Sequence, residues 1–469
     1  MKMKYTKKII SLILTLVCLV CTITGGPVAN ANQNSNNDKR ACWISFLDME
    51  EYLLDLSEDE FRTKITQMYD NIISYGMNTV IVHTRAMGDA MYPSEYFSLS
   101  IYLDSDRSMA YDPMQIMVEL AHEKMLYFEA WINPYRLSKN EATTVSYKES
   151  PYYDMYKEFT MEYENTSGET CLSLDPSKIE TNELICSQVK EIIEKYDVDG
   201  IHFDDYFYMP GMADAMDEST KMQYVNAMVK QVYDTVKSVD CNVTFGISPA
   251  GNTSSARSQG ADIDTWLSTP GYIDYIMPQI YWSDSYMMDG VLTTLYSDRC
   301  NEWKSLNLID IPMYSGLALY RVGEESETDL GWKENHNNLK NQYEVAYYLG
   351  YDGYALFRYA WLEYEDSKTE LTNLYAFSAT LPDGGIYENE VVESDNIDVM
   401  ETEITTAMES EQIDDESFQE EIRVFGVDVS GLNKFYVLQL AAGDYKFWNL
   451  MSFSSYCNLV TSQKTLNFY

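Results

Sequence analysis

Val198-Asp199-Gly200-Ile201-His202-Phe203-Asp204-Asp205-Tyr206-Phe207-Tyr208 runs from an apolar, β-prone stretch into two adjacent carboxylates and three aromatic rings. Apolar and polar residues alternate up to Asp204, the pattern of a strand with two different faces. His202 and Asp204 share one face, and Ile201 and Phe203 share the other. Large apolar side chains suit a surface covered by helices. His202 and Asp204 are therefore expected to point into a lumen, with Asp204 at its mouth. Asp205 lies just past the strand, where the chain is free to turn it toward the same opening.

Seven other runs share this β-rich character: Ala41–Leu47, Asn78–Thr84, Leu126–Asn133, Asn242–Ser248, Tyr272–Tyr281, Ile311–Leu317 and Gly353–Tyr359. Longer charged segments with helical periodicity separate them. In one, Ser57-Glu58-Asp59-Glu60 supplies an N-cap with acids in the first turn. Phe61, Ile65, Met68, Ile72 and Ile73 then form a stripe. In another, Leu184, Ile185, Val189, Ile192 and Ile193 do the same. Strands alternating with helices imply parallel pairing through right-handed crossovers. Eight such units are the count of an α/β (β/α)8 TIM barrel. An open doubly wound sheet would want a Gly-rich phosphate loop after an early strand, and no GxGxxG occurs.

A barrel places chemistry where its strands end. Those ends carry Asp48, Arg85, Asp89, Asn133, Arg136, Asp204, Asp205, Tyr206, Ser248, Gln279, Tyr281, Trp282, Tyr320 and Trp361. Carboxylates beside flat aromatic faces are what glycoside hydrolysis uses. Asp204 is the expected principal acid and Asp205 its neighbour. A separate second acid would come from Asp48, Asp89 or Glu129. Arg85, Asn133 and Arg136 are candidates to bind sugar hydroxyls or a carboxylate, with structural Arg–carboxylate pairing as the alternative. Tyr206, Tyr281 and Trp282 are candidate stacking platforms and Gln279 a candidate substrate contact. The chain holds 40 Tyr, so grouping at strand ends counts for more than any single ring.

Other chemistries fit less well. Gly246-Ile247-Ser248-Pro249-Ala250 resembles a nucleophile elbow. However, Pro249 lacks the N–H that an oxyanion hole takes from the residue after the nucleophile. HExxH and zinc-like spacings are absent and only 4 His occur, so neither a metal nor another cofactor is expected. The net charge of −41 argues against nucleic acid and anionic membrane as partners.

The ends of the chain read differently. Lys2, Lys4, Lys7 and Lys8 precede an apolar run from Ile9 to Ile23, and Ala29-Asn30-Ala31 forms a cleavage-like site. Residues 1–31 are thus expected to be a signal peptide, giving a secreted or cell-surface protein not inserted in the membrane after cleavage. Residues 38–381 form the expected barrel. Residues 382–421 are acidic, with no Lys or Arg between Glu388 and Glu421, and read as a solvated linker. Residues 422–469 form a small aromatic segment. Cys42, Cys171, Cys186, Cys241, Cys300 and Cys457 follow the signal without any CxxC, and their pairing is left open.

Many motifs, in order, resemble the bacterial glycosyl hydrolase-like family ten. They include Gly76-Met77-Asn78-Thr79-Val80, Gly88-Asp89-Ala90-Met91-Tyr92-Pro93-Ser94, Ala130-Trp131-Ile132-Asn133-Pro134-Tyr135-Arg136 and Leu174-Asp175-Pro176. Asp112-Pro113, the opening stretch, Phe245-Gly246-Ile247-Ser248-Pro249 and Tyr275-Ile276-Met277-Pro278-Gln279-Ile280-Tyr281-Trp282 complete the set. The resemblance implies an exported (β/α)8 glycosidase acting on bacterial cell-wall glycan, including peptidoglycan strands without stem peptides. It carries over the positions of Arg85, Asn133, Arg136, Asp204, Asp205, Gln279 and Trp282. The fourth-strand motif is also similar to that of chitinase-like barrels, where a Glu stands at the position of Tyr206, and to that of alpha-amylase-like barrels, where Asp204 would be a nucleophile. A non-catalytic carbohydrate-binding barrel and a surface attachment protein are the alternatives.

Overall fold

The computed structural model describes residues 38–333 and 336–381. The expected signal peptide, acidic linker, C-terminal segment and Cys457 lie outside them. Eight parallel strands form one sheet: β1 (Lys39–Ile44), β2 (Thr79–Arg85), β3 (Tyr127–Ile132), β4 (Gly200–Phe203), β5 (Thr244–Ile247), β6 (Tyr275–Ile276), β7 (Tyr314–Leu317) and β8 (Gly353–Leu356). Their spatial order is β6-β5-β4-β3-β2-β1-β8-β7. The seam between β6 and β7 is closed by parallel bridges at Ile276–Met313 and Gln279–Gly316. The result is the expected (β/α)8 barrel, with every strand inside its predicted run or within two residues of it.

β6 is much shorter than the run Tyr272–Tyr281. Pro278 has no N–H to give the ladder, so regular pairing stops before it. The chain beyond Pro278 still touches both neighbours. Gln279 N–H donates to the Pro249 carbonyl (3.0 Å), and Gly316 N–H donates to the Pro278 carbonyl (2.9 Å). Gln279 is thereby fixed at the barrel mouth.

The lumen is filled by large rings set against small residues. Across the registers, Trp131, His202, Gly246 and Tyr275 lie side by side on one face. Ala41, Trp43, Ile81, Trp131, Tyr275, Met277, Tyr314 and Ala355 form the inner cluster. A Cβ on Gly246 would lie 2.0 Å from the Tyr275 ring. That ring cannot retreat, because its hydroxyl is held by Glu129 (2.6 Å) and His202 (2.7 Å). Gly246→Ala is expected to cost about 1–3 kcal/mol by overpacking, measurable by chemical denaturation. A loss below about 0.5 kcal/mol would show that the lumen yields, since surface-like changes stay within that range.

The outer strand faces carry Cys42, Ile44, Val80, Val82, Phe128, Ile201, Phe203, Phe245 and Leu356 into a second core under the helices. The first crossover helix, α1 (Glu58–Ser74), is capped as expected: Ser57 N–H and Oγ both donate to Glu60. Its buried stripe is Phe61, Ile65, Met68, Tyr69 and Ile72, whereas Ile73 is turned outward. The α2 helix (Pro113–Glu123) follows. The stripe of the next, α3 (Ile179–Lys195), buries Leu184, Ile185, Val189 and Ile192. An antiparallel hairpin, Thr160–Glu164 with Thr170–Leu174, rises from the loop after β3 and stands over the barrel mouth. Cys42, Cys171, Cys186, Cys241 and Cys300 are free thiols.

Candidate active site

Strand parity sets the site. Trp43, His83, Trp131 and His202 point into the lumen just below the C-terminal rim, and above them opens a cleft of about 650 Å³. Its wall includes Phe46, Arg136, Lys139, Tyr163, Tyr206, Gln279, Tyr281 and Tyr320. Among the described residues the only carboxylates lining it are Asp204 and Asp205.

Asp204 sits on the floor, 2% exposed. One carboxylate oxygen accepts from Trp131 Nε1 (3.1 Å) and the other from the Tyr206 N–H (3.1 Å). Burial raises its pKa well above the usual carboxylate range, and the Asp205 charge raises it further. Arg136 and the two hydrogen bonds offset only part of this. Asp205 is raised as well, mainly by burial, and Gln279 donates a hydrogen bond to it. It is partly open to the cleft, so solvent moderates its shift and Asp204 is the more proton-retaining member. The pair holds one proton into the neutral range, as one coupled unit.

The floor is braced from below by neutral histidines. His83 accepts from the Phe46 N–H at Nδ1 (3.2 Å) and faces the Asn133 amide oxygen through Nε2 (3.5 Å). Its ring stacks on Trp131 with centroids 3.2 Å apart. Trp131 in turn fixes Asp204. His202 lies between Trp43, Ser248 and Tyr275. Burial holds both imidazoles well below their ordinary pKa. The Ser248–His202 contact of 2.9 Å resembles a Ser–His dyad. However, the imidazole's other nitrogen meets a Tyr rather than a carboxylate, and Pro249 supplies no oxyanion donor.

Of the residues expected at the site, Asp204, Asp205, Arg136, Tyr206, Gln279 and Tyr281 are brought together around one cleft. The Arg136 guanidinium carbon stands 3.9 Å from the Tyr206 ring centroid, and its Nε donates to the Ala86 carbonyl (2.9 Å). Tyr281 Oη is buried without a hydrogen-bond partner, an arrangement that costs free energy unless a ligand supplies one.

Arg85, Asn133 and Trp282 do not line the cleft. Arg85 would face the lumen by simple alternation, but a bulge between His83 and Arg85 shifts the register. It is instead buried toward α3, where it donates to Gln188 (2.6 Å) and to the Pro134 carbonyl (2.7 Å). Asn133 lies beneath the floor, donating to the Ala86 carbonyl (3.0 Å) and orienting His83. Trp282 turns away as the chain leaves the rim, and its carbonyl is held by Gln342 (2.7 Å).

The three candidates for a separate second acid also lie elsewhere. Asp48 is the third residue of a short helix, Phe46–Tyr52, that begins at once after β1, and it pairs with Arg358. Asp89 is buried in its own loop, where Ser100 and Ile101 bond it. Glu129 plugs the opposite end of the barrel, paired with Lys39 (2.5 Å). In this fold that end contributes stability rather than chemistry.

Sequence reasoning missed Phe46, Lys139, Tyr163, Asn165 and Thr166. Tyr163, Asn165 and Thr166 come from the first strand and tip of the hairpin, which carry no buried run to announce them. Lys139 follows Arg136 by three residues and had a legible neighbour, but nothing in its own type distinguished it.

A (β/α)8 barrel with two carboxyls and a ring of aromatics at its C-terminal mouth has the arrangement of the glycoside hydrolases. The chain belongs to the glycosyl hydrolase-like 10 family, whose model matches residues 38–224 and 216–334. It is 31% identical over 331 residues to Glycosyl hydrolase YngK of Bacillus subtilis, covering 62% of either chain. It is 28% identical over 380 residues to Glycosyl hydrolase DigH of Escherichia coli K12, covering 70% of this chain and 84% of that one. Among solved structures, the catalytic domain of beta-amylase from Paenibacillus polymyxa matches with a TM-score of 0.48 at 11% identity, over 74% of this chain and 99% of that one.

Proposed function

We propose that this protein is an exported glycosidase that cleaves amino-sugar strands of bacterial cell-wall glycan, with Asp204 as the principal catalytic carboxylate. The carrying observation is that, among the described residues, the cleft is lined by two adjacent carboxyls and no third across from them. Hydrolysis through two protein carboxyls needs them on either side of the scissile bond, about 5–5.5 Å or 6.5–9.5 Å apart. Neighbours on one strand end reach the bond from the same side. A substrate that brings its own nucleophile removes the need for the missing group, and the 2-acetamido oxygen of an N-acetylated sugar is such a nucleophile.

In this reading Asp204, the member that retains its proton, protonates the glycosidic oxygen. The acetamido carbonyl attacks the anomeric carbon as the bond breaks. Asp205, ionised and held by Gln279, takes up charge on the acetamido nitrogen, and Tyr281 Oη donates to the acetamido oxygen. Water then opens the cyclic intermediate, returning the proton to Asp204, with retention of configuration. The wall-glycan substrate rests on the family resemblance of the ordered motifs, and export rests on residues 1–31.

Purified, peptide-stripped glycan strands test the reading, with products followed by mass spectrometry. Intact strands are expected to be cut, and chemically de-N-acetylated strands to be cut at least about 100-fold more slowly, the scale of losing one well-placed catalytic group. Equal cleavage of the two would overturn substrate assistance. Binding without turnover on either would favour a carbohydrate-binding barrel.

A further inference from the structure

Most cations of the described residues sit against carboxylates, as a chain with net charge −41 allows. Among the described residues, the two cations of the cleft wall, Arg136 and Lys139, have no carboxylate within ion-pair distance. Both stand by one ring: the Arg136 guanidinium carbon is 5.8 Å from the Phe46 centroid and Lys139 Nζ is 4.7 Å from it. Lys139 Nζ is also 5.2 Å from the Tyr102 centroid. The Lys139 backbone is tied into place from two directions. Its N–H donates to Thr143 Oγ1 (3.0 Å), and its carbonyl accepts from Asn165 Nδ2 (3.3 Å) at the tip of the overhanging hairpin. The ammonium is thus half-buried, built into the wall and seated on rings, with the Glu50 carboxylate acting on it from beyond ion-pair distance.

We propose that Lys139, with Arg136 beside it and the Asn165–Thr166 hairpin tip above, forms a subsite for a carboxylate on the glycan, so that this barrel selects strands whose sugars bear an acidic substituent. The inference rests on the glycan-hydrolase reading of the same cleft. With one proton on the Asp204–Asp205 pair, the cleft wall carries a net positive charge inside a strongly negative protein. A neutral glycan gains nothing from this arrangement, whereas an anionic one is drawn from a surface that otherwise repels it. Half-burial strengthens the contact with a carboxylate relative to an exposed lysine. Arg136 is partly engaged by Tyr206 and Ala86, which leaves Lys139 as the residue that sets selectivity.

The test compares two preparations of the same peptide-stripped strands, one with free lactyl carboxylates and one in which they are converted to neutral amides. Affinity is measured by calorimetry and turnover by product release, for the wild type, Lys139→Met and Lys139→Arg. Wild type is expected to prefer the acidic strands by about tenfold or more in KM and Kd, a preference that weakens as salt rises. Lys139→Met, which keeps the stem on Phe46 and Tyr102, should bring the acidic-to-amide ratio close to one, and Lys139→Arg should largely restore it. An unaltered ratio in Lys139→Met, equal binding of the two strands by wild type, or binding of neither would overturn the subsite. Absence of turnover with the affinity ratio intact would instead overturn only the hydrolase reading.

Discussion

Asp204→Asn is expected to lower kcat on susceptible glycan by about 10²–10⁴, the range for loss of a positioned general acid, and to make the barrel more stable. The two effects share one cause. Asp204 lies buried on the cleft floor, and burial raises its pKa above that of a carboxylate in the unfolded chain. Between those two pKa values the folded state binds a proton that the unfolded state releases. Stability is therefore full below the unfolded value and falls as pH rises through the folded one. An amide at this position has no charge to bury; its single oxygen keeps one of the two donors, Trp131 Nε1 or the Tyr206 N–H, while its NH2 faces the other, which limits the gain. The stability gap between variant and wild type should widen with pH and reach roughly 1–2 kcal/mol on the alkaline side, the usual scale for relieving a strained functional site. Thermal melts of the two proteins across pH, beside single-turnover assays, separate the outcomes. Retained turnover would remove Asp204 from the chemistry, and a gap that does not change with pH would show that its carboxyl titrates normally.

Asp205 gives the control on this coupling. Its charge is the second cause of the Asp204 shift, after burial. Asp205→Asn should then move the alkaline limb of kcat/KM to lower pH, because Asp204 gives up its proton more readily beside a neutral neighbour. A limb that stays in place would mean that burial alone sets the Asp204 pKa.

The barrel was legible because its strands are short apolar runs separated by helix-length charged segments, and parity within β4 correctly turned His202 and Asp204 inward. Parity failed at Arg85, where a bulge inserts a residue into β2 that no pattern of residue types announces. It also failed at Asp48, where Ser45 starts a helix immediately after β1 and makes the acid a cap rather than a rim residue. The order of motifs identified the neighbourhood of the cleft. The cleft's boundary depended on which of the rim side chains turn in or out, and that is set by contacts distant in sequence. Trp282 turns away because Gln342 holds its carbonyl, and Tyr163 and Asn165 arrive on a hairpin whose register with the barrel is fixed by Leu172 and Ser138.

Asp48→Ala is expected to cost about 3–5 kcal/mol, the scale for removing one partner of a buried ion pair. Asp48 is fully buried and holds the end of β1 to the end of β8. One carboxylate oxygen accepts from Arg358 (2.6 Å) and from the Ala360 N–H (2.8 Å), and the other from the Ser45 N–H and Oγ (both 2.7 Å). Truncation leaves a guanidinium and two backbone donors without their acceptor at a largely buried junction between strands. Asp48→Asn, which keeps the acceptor oxygen and loses the charge, should cost less. Arg358→Met should fall between the two, leaving the carboxylate with its neutral donors. The loss should appear as a lower denaturation midpoint with an unchanged slope. The neighbours Ser45, Phe46 and Phe357 line the cleft, so the weakened junction should also raise KM more than it lowers kcat. A cost below about 1 kcal/mol would place Asp48 with surface pairs, and would mean that the β1–β8 junction is held by its ladder alone.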